Sequence, residues 1–152
     1  YTDHMQASLA LSVNGVFIAI GAGSAAKFKK ATSGVKVSCV GMMVLSVLEA
    51  VVLFLDLGFW AYEIVLCTLL VFMGFTLTAS TTMALESERK QAGTASALFG
   101  AMGFVSGALT APIVALGNPV HSTAIAFVAG AALSCAFGYF ALRQTAKSES
   151  RA

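Results

Sequence analysis

Residues 59–84 read FWAYEIVLCTLLVFMGFTLTASTTMA, and this stretch sets the class of the protein. It contains one acidic residue, Glu63, and no basic residue. At a rise of about 1.5 Å per residue, a helix of this length crosses a hydrocarbon core about 30 Å thick. Because lipid offers the backbone no hydrogen-bond partners, the stretch is predicted to be a transmembrane helix.

Similar apolar stretches lie on both sides of this one. The five predicted spans are residues 7–26, 37–55, 59–84, 93–116 and 122–142. The chain is 58% hydrophobic and 11% charged, whereas a globular protein is about 45–50% apolar and about 25% charged. A soluble domain and a disordered chain are therefore excluded. We predict an all-α polytopic membrane bundle with five transmembrane helices, forming one domain over residues 1–152.

The basic residues predict the orientation of these spans. All nine Lys and Arg residues lie in the connections that follow the first and third spans or in the C-terminal tail. They are Lys27, Lys29, Lys30, Lys36, Arg89, Lys90, Arg143, Lys147 and Arg151. Alternate connections lie on one side of the membrane, and the positive-inside rule makes that side cytoplasmic. The C-terminus is then predicted to be inside, and Tyr1 and Asn118 outside.

Residues 84–100, ALESERKQAGTASALFG, form a charged loop that leads into a Gly-rich helix. This loop resembles the one before helix eleven of major facilitator transporters, and it is most similar to that of the Bcr/CflA-type drug/proton antiporters. Asn14 and residues 21–30, GAGSAAKFKK, resemble helix eight of that family and its basic loop. The Asp of the superfamily's loop signature is missing there. The resemblance covers the whole chain, so the five spans correspond to helices eight to twelve.

This resemblance implies a larger protein and a function. The chain begins at Tyr1 without a Met, so we expect it to be the C-terminal part of a twelve-helix transporter in a bacterial inner membrane. Its implied partners are the lipid bilayer, the missing N-terminal half and helix seven, a small-molecule substrate and protons. The implied function is proton-coupled efflux of drugs or other small apolar or cationic compounds by alternating access. In the family, helix ten lines the cavity, helices eight and eleven pack along the seam between halves, and helices nine and twelve are peripheral.

Three polar residues within the first three spans are candidates for the substrate or proton pathway. Glu49 lies in the second span, where an acid is costly unless it is paired, hydrated or protonated. It is interpreted either as a proton carrier or as a neutral or hydrated acid. Glu63 is interpreted either as a cavity acid that attracts cations or as an interfacial acid beside Trp60. Asn14 either contacts substrate or ties the first span to a neighbouring helix.

Two helix faces are further candidates. Glu63 heads a stripe with helical spacing on the third span. The other members of this stripe are Cys67, Leu70, Gly74, Thr78 and Thr81. On the fourth span, Gly100, Gly103, Gly107 and Ala111 form a small-residue face, interpreted either as a moving seam between two halves or as a static packing face. Phe99 and Met102 lie on the opposite face, which either lines a pocket for apolar substrates or contacts lipid.

Other functions are disfavoured by the motifs that the sequence lacks. The two His residues have no partners at metal-ligand spacing, and neither a nucleophile elbow nor a phosphate-binding loop occurs. We therefore expect no enzymatic activity, no metal, no cofactor and no nucleic-acid binding. Two alternatives to drug efflux stay open. One is a major facilitator carrier for a metabolite or sugar, and the other is a structural or assembly membrane subunit without transport activity.

Overall fold

The computed structural model describes residues 2–25, 27, 31–87, 89–115 and 118–149. Its long helices are α1 (Thr2–Ala25), α2 (Ala31–Phe54), α3 (Phe59–Ser87), α4 (Ala92–Ala115) and α5 (Pro119–Glu149), with a short 3₁₀ helix (Arg89–Gln91) before α4. All five are long and apolar enough to cross a membrane, and the described residues include no strand. The prediction of an all-α membrane bundle with five spanning helices is confirmed.

Several helices are longer than the predicted spans. α2 begins at Ala31 rather than at residue 37, α3 continues to Ser87 rather than 84, and α5 continues to Glu149 rather than 142. The predicted limits followed the charged residues, but charge limits only the part of a helix that lies in lipid. Some predicted features lie outside the described residues, namely the span ends at 26 and 116 and the basic residues Lys29, Lys30 and Arg151.

The start of α5 has a local cause in the sequence. The Asn118 side-chain oxygen accepts a hydrogen bond from the Val120 N–H at 3.1 Å, as expected of a helix N-cap. Pro119 occupies the first helical position, where a missing N–H costs nothing. The Asn-Pro pair therefore begins the helix three residues before the predicted span at 122.

α3 lies at the centre of the bundle. It packs along α1 on one side and along α2 on another, and α2 also packs along α5. The buried cluster of Val35, Phe75 and Ala79 lies between α2 and α3. By contrast, α4 touches α3 and α5 only sparsely and has no buried residue. Its Phe104 is 84% exposed, as suits a surface that faces lipid.

Glycines allow the closest approaches between helices. A Cβ added at Gly74 of α3 would collide with the backbone of Ile18 in α1, and one at Gly41 of α2 would collide with the ring of Phe72 in α3. Small residues let helices approach in this way in membranes, where packing replaces the hydrophobic effect.

The small-residue face predicted on α4 does not pack in this manner. A Cβ added at Gly100, Gly103 or Gly107 would meet nothing within 4 Å, and Ala111 is exposed. Within the described part of the chain, this face has no packing partner. The physical reason is that α4 lies at the edge of the bundle, so this face has no helix opposite it. Both interpretations of the face, as a moving seam with another half or as a static packing face, stay predictions.

The turn between α2 and α3 is short and is closed by backbone hydrogen bonds. The Leu57 N–H donates to the Val52 carbonyl at 3.3 Å, and the Asp56 N–H donates to the Leu53 carbonyl at 3.4 Å. This pattern is a Schellman motif, which places one residue in the left-handed region. That residue is Asp56, with φ of 48°, and Gly58 follows with φ of 89°. The turn folds α2 and α3 into an antiparallel hairpin.

Candidate functional site

The hairpin brings two acids together at one depth. Gly41 faces Phe72 and Gly34 faces Ala79, so positions nearer the turn on α2 lie opposite positions nearer the turn on α3. Glu49 lies five residues before the end of α2, and Glu63 lies four residues after the start of α3. At about 1.5 Å per residue, both are about 6–8 Å from the turn. The two carboxyl groups are close enough for their charges to interact.

Glu49 is fully enclosed by protein. Its relative exposure is 0%, and it is the largest of the fully buried side chains. Neither Oε1 nor Oε2 has a hydrogen-bond partner among the described residues. Ser46, one turn earlier on the same face, is also fully buried, and its hydroxyl donates to the Met43 carbonyl instead. Glu49 and Ser46 therefore lie on a face of α2 that points into the protein.

Among the described residues, Glu49 has no cationic partner. The Lys and Arg residues of the described ranges lie at 27–36, at 89–90 and at 143–147, near the helix ends opposite the turn. On α2 itself the basic residue is Lys36, which is about 20 Å from Glu49 along the helix axis. On α5, His121 lies at the same end as the turn, and its ring stacks on Phe54 with 5.0 Å between centroids.

Glu63 has a different environment from Glu49. It is half-buried, and the Cys67 thiol lies 4.0 Å from its Oε1. The same thiol lies 3.5 Å from Oδ1 of Asn14 in α1. A thiol carries one proton, so Cys67 donates to one of these oxygens at a time. Asn14 therefore ties α1 to α3 through Cys67, as the second interpretation of that residue predicted.

Tyr62 borders the acid pair. Its side chain is half-buried at the start of α3, within electrostatic range of both Glu49 and Glu63. Together, these residues form what we call the acid site, which consists of Glu49, Glu63, Tyr62, Cys67 and Asn14. The site spans α1, α2 and α3 and leads from the turn end of the bundle towards its middle.

The lower part of the stripe on α3 packs against α1. Gly74 meets the backbone of Ile18, and a Cβ added at Gly21 of α1 would collide with the backbone of Val71. The Thr78 hydroxyl donates to the Gly74 carbonyl at 3.1 Å, which is the common internal bond of a helical Thr. The structure thus places Thr78 about four turns from Glu63, outside the acid site.

The candidates on α4 are also far from the acid site in the fold. Met102 is 62% exposed and Phe99 is 36% exposed. Both belong to a helix without buried residues. Their surface is of the kind that faces lipid or a further part of the protein.

Sequence reasoning missed two contacts that involve candidate or neighbouring residues. The proximity of Glu49 and Glu63 could have been predicted from the sequence, because the two acids lie at nearly equal distances from the turn at 55–58. The second contact joins α2 to α5. The Cys135 thiol donates to the Cys39 carbonyl at 3.1 Å, and the Cys39 thiol lies 4.0 Å from the Ser134 carbonyl. The sequence carried no signal for this pair beyond two cysteines in apolar runs.

No family model matches the chain, and no curated protein or solved structure is detectably similar to it. The acid site therefore has to be interpreted from its own chemistry. A buried carboxyl without donor or cation, beside a second carboxyl, suits the binding of a proton. Among the described residues, no group of three or more His, Cys, Asp or Glu is placed to hold a metal ion.

Proposed function

We propose that this chain is part of a proton-coupled membrane transporter that exports small apolar or cationic compounds by alternating access. The observation that carries the proposal is the enclosed carboxyl of Glu49 beside Glu63, inside helices that are apolar enough to span a membrane. Ionisable residues at such depth are costly and are usually functional, often as steps of an ion or proton pathway. The half-buried Glu63 offers a carboxyl group to a cationic substrate.

The resemblance to the Bcr/CflA-type antiporters supports the same proposal. On that basis the chain would supply helices eight to twelve, and the missing N-terminal half and helix seven would complete the cavity. The distribution of Lys and Arg supports a cytoplasmic C-terminus. A bacterial inner membrane is the proposed location. The exposed α4, with its small-residue face, is available to the missing half of the transporter.

Reconstitution of the full-length protein in liposomes tests this function. An imposed proton gradient should drive movement of a lipophilic fluorescent cation such as ethidium, and collapse of the gradient with a protonophore should stop it. Cation movement that persists after the collapse would contradict proton coupling. Gradient-driven movement of a sugar or carboxylate but not of ethidium would favour the metabolite carrier. No movement of any of these compounds would favour the structural subunit.

We expect Glu63→Gln to reduce export of the cation more than Glu49→Gln does, at matched expression. The reason is that Glu63 is half-buried, so a cation can approach its carboxyl group, whereas Glu49 is enclosed. The matched control is Glu86→Gln, since Glu86 is an exposed acid near the other end of the same helix, and it should export normally. A loss with Glu49→Gln alone would contradict this assignment and move attention to α2.

A further inference from the structure

The acid site contains two carboxyl groups that cannot both be ionised at low cost. Like charges in close proximity oppose one another, and two carboxylates that share a site usually retain one proton. The environments of the two groups differ, because Glu49 is enclosed without partners while Glu63 is half-buried and near the Cys67 thiol. Such a difference assigns the proton to one member of the pair.

We propose that Glu49 is a proton-binding site that is occupied at neutral pH. An ionised carboxylate that is enclosed without a hydrogen bond or a cation costs several kcal/mol, and a proton removes that cost. A neutral carboxyl also fits the apolar surroundings of α2 in the membrane. A role for this proton in transport rests on the proposed function, but the bound proton itself does not.

None of the titratable groups around Glu49 offers the proton a better binding site than Glu49 itself. On α3, the neighbouring side chains are the Glu63 carboxyl and the half-buried phenol of Tyr62, and a phenol is neutral in its ordinary state. On α5, the titratable group near this end is His121, which is exposed and stacks on Phe54 rather than bonding to Glu49. On α2 itself, Asp56 is exposed in the turn. None of these groups supplies a positive charge in contact with Glu49.

Infrared spectroscopy of the full-length protein in lipid tests the assignment directly. At neutral pH, the spectrum should contain the carbonyl-stretch band of a protonated carboxyl in an apolar environment. The band should be absent in Glu49→Gln and retained in Glu63→Gln. Three results would overturn the proposal, namely no such band in the wild type, a band lost only in Glu63→Gln, or a band lost in both variants, since the last would mean that the proton is shared.

Thermal unfolding gives a second measurement on the same variants. Below the ordinary pKa of a glutamate, about 4.3, Glu49 is protonated in both folded and unfolded chains, so Glu49→Gln should melt like the wild type. Above it, the folded chain must keep a proton that the unfolded chain releases, so the wild type should lose stability relative to Glu49→Gln as the pH rises. A difference that stays constant between pH 4 and pH 8 would contradict a bound proton.

These measurements separate the two proposals because neither requires transport. If the infrared band does not depend on Glu49 while proton-driven export is intact, the proposed proton on Glu49 is overturned and the proposed transport function stands. If the band is lost in Glu49→Gln but the protein moves no compound, the proposed transport function is overturned and the proposed proton site stands. The control variant Glu86→Gln should match the wild type in both measurements, since Glu86 is exposed and far from the acid site.

Discussion

The backbone conformation of Asp56 shapes the turn of the hairpin on which Glu49 and Glu63 lie. Its φ of 48° lies in the left-handed region, which costs most residues about 1–2 kcal/mol and glycine very little. We expect Asp56→Gly to raise the thermal stability of the full-length protein by up to about 1 kcal/mol, and Asp56→Val to lower it by more, since β-branched residues tolerate this region worst. Unfolding in detergent measures both, and equal stability of the Val variant and the wild type would contradict the expectation.

At this scale, the sequence singled out both acids of the acid site but not their relationship. Glu49 and Glu63 stand out because acids in apolar stretches are rare, and that signal needs no structure. Their pairing depends on the turn geometry around Asp56 and on the register between α2 and α3, which are properties of folded helices. The enclosure of Glu49 depends on α2 lying between α3 and α5. The resemblance, by contrast, placed that helix at the periphery.

The helices α3 and α4 should differ in how well they tolerate a larger residue in place of glycine. Gly74→Leu should force α1 and α3 apart, because the added side chain has no space beside Ile18. Overpacking of this kind typically costs about 1–3 kcal/mol, and a clash with backbone belongs at the upper end. Gly107→Leu is the matched control, since nothing lies within 4 Å of its added Cβ. Thermal stability in detergent should fall for Gly74→Leu and stay near the wild type for Gly107→Leu.

The same control tests the moving seam. If the small-residue face of α4 meets another half of the protein, Gly107→Leu should stay folded while export falls, because the side chain fits inward-open and outward-open states unequally. A bias of about 1.4 kcal/mol shifts their ratio tenfold. The accessibility of a cavity cysteine from the two sides measures this bias. Normal export with unchanged two-sided accessibility would contradict the seam and the assignment of α4 to helix eleven.

The contact between α2 and α5 can be tested with its own cysteines. Because each thiol lies near the other's helix backbone, a short bifunctional thiol reagent such as dibromobimane should link Cys39 to Cys135 and become fluorescent. Cys39→Ser and Cys135→Ser should each abolish the fluorescence. Cys67→Ser should retain it, since Cys67 faces Asn14 in α1. Fluorescence that survives either of the first two substitutions would contradict the packing of α2 on α5.

The whole molecule has a predicted orientation that surface labelling can check. In a background without the three native cysteines, a cysteine at Lys29, Arg89 or Arg143 should resist a membrane-impermeant thiol reagent added to intact cells. A cysteine at Asn118 should react. The reason is that all the basic clusters follow alternate spans, which places them on the cytoplasmic side. Labelling of Arg89→Cys from outside would contradict the orientation.

Whole-molecule features differ in how far the sequence determines them. Composition and span length suffice for an all-α membrane bundle, because lipid permits few other solutions. The residues alone do not predict that α3 lies at the centre and α4 at the edge. All five helices are apolar on nearly every side, so no periodic polar face distinguishes a buried helix from one at the edge. The close approaches at Gly74 and Gly41 depend on register, which composition does not encode.

The four-residue turn at 55–58 also has a consequence for biogenesis. So short a connection leaves α2 and α3 little freedom to enter the bilayer far apart in time, and we expect them to insert as one hairpin. A lone acid opposes the insertion of a helix, whereas surrounding Leu, Ile, Phe and Val residues favour it. Joint insertion lets the long, apolar α3 offset the unfavourable entry of Glu49 in α2. The acid pair would therefore be assembled before α4 and α5 leave the ribosome.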